Sequence, residues 1–224
     1  MSLITVTDNC VKYFDTKYFV DNAPLQTLGG YGEKAGGIIE TGKLEPKDHL
    51  PIANLKGKTT TLGPITLDSS NSSKSDFNKA VAASLKVVGF SGSVDATYSA
   101  LVSKELQLVQ LWIEPNDVKR WINASPKALD NLRNYGGDAR VVHTLFVVTT
   151  AVFASSFTGG VSYDLNVNAA GIVTVTTKGG TSVAGKDVIT LAPGMCLAYG
   201  MLKLDWGKGK DFVEDLNVDE VGMK

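Results

Sequence analysis

Residues Val88–Val102 alternate without a slip. Val88, Phe90, Gly92, Val94, Ala96, Tyr98, Ala100 and Val102 form one set, and Gly89, Ser91, Ser93, Asp95, Thr97, Ser99 and Leu101 the other. Side chains in a strand point to opposite faces with period two, so the spacing predicts one long strand, from about Ala80, with an apolar and a polar face. Ordinary strands run about five or six residues, and a strand that crosses a bilayer needs roughly nine to eleven. A strand of this length serves either as one side of a soluble sandwich, its commoner use, or as a stave of a membrane barrel.

The remaining segments predict an α+β domain with a mainly antiparallel sheet. Val6–Val20 reads as an amphipathic helix capped by Thr7 or Asp8, with Val11, Phe14 and Tyr18 on one stripe. Residues 29–65 are glycine-rich and suggest short strands or a loose hairpin. Asp68–Ser75 reads as a polar loop. Leu106–Ile113 is apolar on both faces, as in a strand buried on two sides. Pro115 opens one helix, and Ser125-Pro126 a second that Gly136-Gly137 stops. Arg140–Phe157, Val161–Asn168, Ile172–Thr177, Val188–Leu191 and Met195–Leu204 read as strands. Residues 1–206 form one domain on this reading. Residues 207–224 form a short charged tail that lies free, packs as a surface helix or covers a basic patch.

Composition excludes several classes. A net charge of -1 gives no global field to attract nucleic acid. No apolar run reaches the roughly eighteen residues of a transmembrane helix. The first residues lack the pattern of a secretory signal, so the expected location is the cytoplasm. Two cysteines, Cys10 and Cys196, are too few for a disulfide scaffold and lack zinc-site spacing. Enzyme signals are poor, and no metal or cofactor is implied. Gly57-Lys58-Thr59 resembles the end of a phosphate loop, but Ile52 stands where its first glycine is required. A Cys196–His143 nucleophilic pair has no support in the local sequence.

Three segments carry a resemblance. LQLVQLWIEPNDVKRWIN (Leu106–Asn123) is a strand leading into a helix. LRNYGGDARVVHTLFVVTTAVF (Leu132–Phe153) is a helix end followed by a long strand. DVITLAPGMCLAYGMLKLDW (Asp187–Trp206) is a strand, a Pro-Gly turn and a final strand. Their order and spacing resemble the pore-forming domain of gasdermins across residues 76–206, and the first 75 residues match only in layout. The family's large C-terminal repressor domain has no counterpart here, so the resemblance is to a stand-alone pore-forming domain, and removal of a repressor is not the expected switch.

The resemblance implies a protein that is cytoplasmic when inactive. It then binds acidic lipids at the inner leaflet of the plasma membrane, assembles into a large homo-oligomeric ring and opens a lytic pore. Two hairpins, drawn from about Asp76–Trp112 and Ala139–Leu191, would cross the bilayer. Their lipid-facing positions would be Val88, Phe90, Val94, Tyr98, Val102, Val161, Tyr163, Leu165 and Val167. Lys12 and Lys17 match the family's lipid-docking helix, while Lys43, Lys47, Lys56 and Lys58 match by position. Cys10 and Cys196 offer a redox lock, within one chain or reciprocally across an inactive dimer, against the alternative that both are inert buried thiols. Cys10 is also a candidate for acylation. The competing readings are a β-rich module that binds protein or lipid headgroups without making pores, and a cryptic hydrolase.

Overall fold

The computed structural model of this chain describes residues 2–7, 9–35, 42–50, 55–56, 59–81, 93–155, 157, 162–167, 173–178, 188–191 and 194–220. Strands β1 (Ser2–Val6), β2 (Cys10–Tyr13) and β3 (Thr16–Phe19) open the fold in place of the helix expected over Val6–Val20. The segment is rich in Val, Thr, Tyr and Phe, which favour extended backbone. Val11 and Tyr13 are buried while Lys12 between them is exposed, a period of two. Thr7 closes the β1–β2 turn, its N–H donating to the Cys10 carbonyl at 2.9 Å, and caps no helix.

Strands β4 (Gly30–Ala35) and β5 (Lys43–His49) form the hairpin expected in the glycine-rich stretch, in register from Gly30–His49 to Ala35–Lys43. Short β6 (Leu55–Lys56) and β7 (Thr59–Leu67) follow. Two helices then stand where the long strand was expected: α1 (Lys74–Val81) and α2 (Val94–Ser103). Val88 and Phe90 lie outside the described residues. Ser93 caps α2, its Oγ accepting from the Ala96 N–H and its carbonyl from the Thr97 N–H. Thr97, Ala100 and Leu101 are buried at i, i+3 and i+4 spacing, the stripe of an amphipathic helix. The alternating pattern is real, but the cap and this stripe select the helix.

Strand β8 (Leu106–Ile113), helices α3 (Pro115–Ala124) and α4 (Pro126–Asn134) and strand β9 (Ala139–Thr150) stand close to where the sequence puts them. Ser125 caps α4 by accepting from the Ala128 N–H. Beyond Thr150 the expected strand gives way to a single helical turn, α5 (Ala151–Ser155). Strands β10 (Ser162–Val167), β11 (Val173–Lys178), β12 (Val188–Leu191) and β13 (Cys196–Trp206) complete the series. Val161 lies outside the described residues. The expected tail contains a further strand, β14 (Val213–Asp219), which pairs along Met201–Trp206 of β13. Every third residue of β14, beginning with Val213, is buried, which the charges around them conceal in the sequence.

Seven strands close on themselves in the order β13–β3–β2–β1–β7–β8–β9, with β9 pairing back onto β13. Among the described residues only the β1–β7 pair is parallel. β14 continues from β13, and β4 and β5 continue from β9. A second sheet runs β12–β11–β10–β6. The architecture is α+β and mostly sheet, built around this closed barrel-like unit.

Two cores result. One fills the barrel with Ile4, Val11, Tyr18, Leu108, Phe146 and their neighbours, and Phe77 of α1 and Leu101 of α2 join it. The other lies outside the barrel wall and carries Val118 and Ile122 of α3, Leu132 of α4, Leu44 of β5 and Val213 of β14. β8, β9 and β13 contribute to both, which explains their apolar character on both faces.

Candidate functional site

Strands β7, β8, β9 and β13 lie side by side as a four-stranded antiparallel meander. Ile65 of β7 pairs with Leu108, Leu106 of β8 with Thr150, and Val147 of β9 with Cys196. The end of β7, the start of β8, the end of β9 and the start of β13 therefore share one edge. Two insertions leave that edge. Residues 68–105, carrying α1 and α2, join β7 to its neighbour β8. Residues 151–195, carrying α5, β10, β11 and β12, join β9 to its neighbour β13.

Polar contacts tie the two helices of the first insertion to each other and to the loop before them. Asn78 donates to Asp95 at 2.6 Å, and Lys74 sits 2.9 Å from the other carboxylate oxygen. These neighbours, Lys74 first, hold the Asp95 carboxyl below its ordinary pKa. Tyr98 donates to the Ser72 carbonyl at 2.9 Å. Val94 and Tyr98 pack against the barrel core, and Val102 is exposed. None of these three lies on a strand: the segment expected to carry them as one is helix α2. In the second insertion the register pairs Tyr163 with Thr177, Leu165 with Val175 and Val167 with Val173. Val175 in turn pairs with Ile189 and Val173 with Leu191. The period-two pattern read from the sequence stays in phase across three strands.

Lys12 and Lys17 are cross-strand partners on the β2–β3 hairpin. Like charges directly opposite are destabilising. Neither side chain has an ion pair among the described residues. The turn between them holds Phe14 at φ 53° and 72% exposed. Positive φ is strained for a bulky residue. The Phe14 ring packs on the core residue Tyr13, centroids 4.5 Å apart, and is otherwise turned to solvent. Leu3 on β1, 53% exposed, lines the same shallow surface as Lys12 and Phe14. The last strand ends against this hairpin, where Glu220 accepts from the Lys17 N–H at 3.3 Å.

The other lysines are not brought together with this pair. Lys47 on β5 lies 3.4 Å from Glu45 and 4.0 Å from Glu33. Lys43 begins the same strand, Lys56 lies on β6, and Lys58 lies outside the described residues.

Both thiols are buried, and no disulfide joins them. Cys10 and Cys196 belong to the outer core. Burial pushes the Cys196 thiol up to about 12, against hydrogen bonds with the Phe146 and Ala198 backbones. Cys10 lies beside Thr7 Oγ1 at 3.1 Å, is 1% exposed, and does not present its sulfur to an acylating enzyme in this state. Reactive cysteines are partly exposed and have depressed pKa values, and Cys196, buried with its pKa raised, is of the inert kind. His143 lines a cavity continuous with the barrel interior rather than the outer core that holds Cys196, and the two form no nucleophilic pair.

Among the described residues no helix is long and apolar enough to cross a membrane, and no cluster of three or more His, Cys, Asp or Glu could hold a metal. Phe14 was expected on the buried stripe of a helix, and neither Gln110 nor Trp112 was assigned a site role from the sequence. A polar Gln110 inside an apolar run, and an aromatic between two lysines next to Asp15, were the available signals. Comparison with protein-family models, curated proteins and solved structures finds no match to this chain.

Proposed function

We propose that this chain is a gasdermin-like pore-forming protein. In this reading its two insertions re-pair as hairpins that continue β7–β8 and β9–β13 across an acidic bilayer, in a ring of many copies. The observation that carries it is the shared edge: both insertions leave a four-stranded antiparallel meander at the same end, each between two strands that are already hydrogen-bonded neighbours. Extension would add four contiguous staves without breaking any strand pair of the meander. A bilayer offers no backbone hydrogen bonds, so only such continuous pairing, closed by neighbouring copies, is viable there. Each insertion is long enough for two arms of the roughly nine to eleven residues that cross a bilayer.

The transition would withdraw Phe77 and Leu101 from the barrel core. Lipid contact by the extended strands and pairing with adjacent copies would offset that loss. The Lys12–Lys17 hairpin supplies the docking step. Each lysine near an anionic surface contributes about 1 kcal/mol. Because both thiols are buried, the trigger in this reading is lipid contact; a disulfide would have to form in another state.

The test is dye release from phosphatidylserine vesicles, with and without reductant, followed by imaging of the membranes. Release with ring-shaped oligomers is expected, and the Lys12→Glu/Lys17→Glu double variant should lower release at least tenfold. Binding to vesicles with no release under either redox condition overturns the proposal and identifies a lipid-binding module.

A further inference from the structure

The barrel interior is filled at the end closed by α1 and α2 and open at the other. There a cavity of about 360 Å³ remains. Ligand pockets run from about 300 to 1,000 Å³, so this one suits a fragment-sized molecule. Tyr13, Tyr18 and Trp112 wall it, and Phe14 and Val218 stand at its rim. Its polar side chains include Gln110, Thr144 and His143. Gly200 makes part of the space: a Cβ there would come 3.1 Å from His143 Nε2 and 3.3 Å from the Tyr18 ring.

Gln110 is 94% buried, since only 6% of it is exposed, and its Oε1 has no hydrogen-bond partner. An unsatisfied buried carbonyl costs about 1–3 kcal/mol, so something that donates to it is favoured there. No Asp, Glu, Lys or Arg lines the cavity among the described residues. An ionised ligand would be buried without a counter-charge, which is strongly unfavourable.

The geometry points to a binding site for a small, neutral, planar aromatic molecule with one N–H or O–H donor, its ring among Tyr13, Tyr18 and Trp112 and its donor on Gln110 Oε1. His143 fits this class. Burial holds its pKa down at about 4, so the imidazole is uncharged at neutral pH, and Thr144 Oγ1 lies 3.2 Å from its Nδ1. The site is separate from the insertions and does not depend on pore formation.

The probes are indole and indene, which share a shape but differ in the N–H donor. Calorimetric titration of the intact chain should show saturable indole binding, with indene about tenfold weaker. Gln110→Leu should lower indole to the level of indene and leave indene unchanged. Gly200→Ala should weaken both, by crowding His143 and Tyr18 into the space. Absence of saturable indole binding, equal affinity for the two probes, or a preference for indole that survives Gln110→Leu overturns the inference. Should Gln110→Leu not fold, the indole–indene comparison on the unaltered chain decides alone.

Discussion

His143 shows how a residue's role depends on the face it occupies. In the sequence it is a strand histidine far from any partner. In the fold it stands inside the barrel, where desolvation lowers its pKa from 6.5 to about 4, partly opposed by a hydrogen bond with the Ile113 backbone. The folded value lies below the unfolded one, so the unfolded chain binds the extra proton between these pH values. The resulting stability is complete above pH 6.5 and is lost as pH falls toward 4. Over that interval the group accounts for about 3 kcal/mol. Unfolding titrations at pH 7 and pH 4 should show the native chain losing that much more than His143→Gln. Equal losses would mean a hydrated imidazole. Residue-scale roles were only partly legible in the sequence. Lys12 and Lys17 were expected on one lipid-docking helix and prove to be cross-strand partners, because β2 and β3 fold back over the Phe14-Asp15 turn. Gln110 stood out only as a polar residue in an apolar run, which does not tell that its Oε1 goes unpaired in the cavity.

At the scale of elements, the misread segments are those where two periods coexist. Positions 94–102 satisfy period two, and 97, 100 and 101 also satisfy the helical stripe. The decision rests on Ser93, whose hydroxyl caps α2, and on Asp95, which ties α2 to Lys74 and Asn78 of α1. Elements with one dominant signal were legible: α4 begins with Ser125-Pro126, and β8 is apolar on both faces. Val6–Val20 failed for the opposite reason, since its β-branched and aromatic content outweighed an apparent cap. A segment balanced between two conformations is what a refolding insertion requires. Removing the cap tests this. Ser93→Ala should cost about 1 kcal/mol of α2 stability. If α2 must leave the barrel before insertion, half-maximal vesicle leakage should then need about fivefold less protein, since 1.4 kcal/mol is tenfold. Unchanged leakage at a measured loss of stability would place the helices outside the rate-limiting step.

The whole molecule is held shut at the end of the chain. Asp219, the last residue of β14, is 1% exposed at its side chain and pairs with Lys34 of β4 at 2.8 Å and with Arg140 of β9. Arg140 also donates to the Gly137 and Ala139 carbonyls. One carboxylate thus ties together strands from the beginning, middle and end of the sequence, which no local pattern could announce. Lys34 and Arg140 are themselves buried, at 8% and 7% side-chain exposure. Breaking a buried pair leaves uncompensated charge and costs about 3–5 kcal/mol, far more than a surface ion pair contributes. Asp219→Ala leaves two cations facing one vacated position, so it belongs at the upper end of that range. Asp219→Asn keeps a hydrogen-bond acceptor and should lose less. Both are read from the midpoint of denaturant unfolding, with an unchanged slope showing that the compactness of the two states is preserved. A loss below about 1 kcal/mol in Asp219→Ala would mean that β14 is held by its pairing with β13 and the burial of Val213 and Leu216, with the ion pairs contributing no more than surface ones.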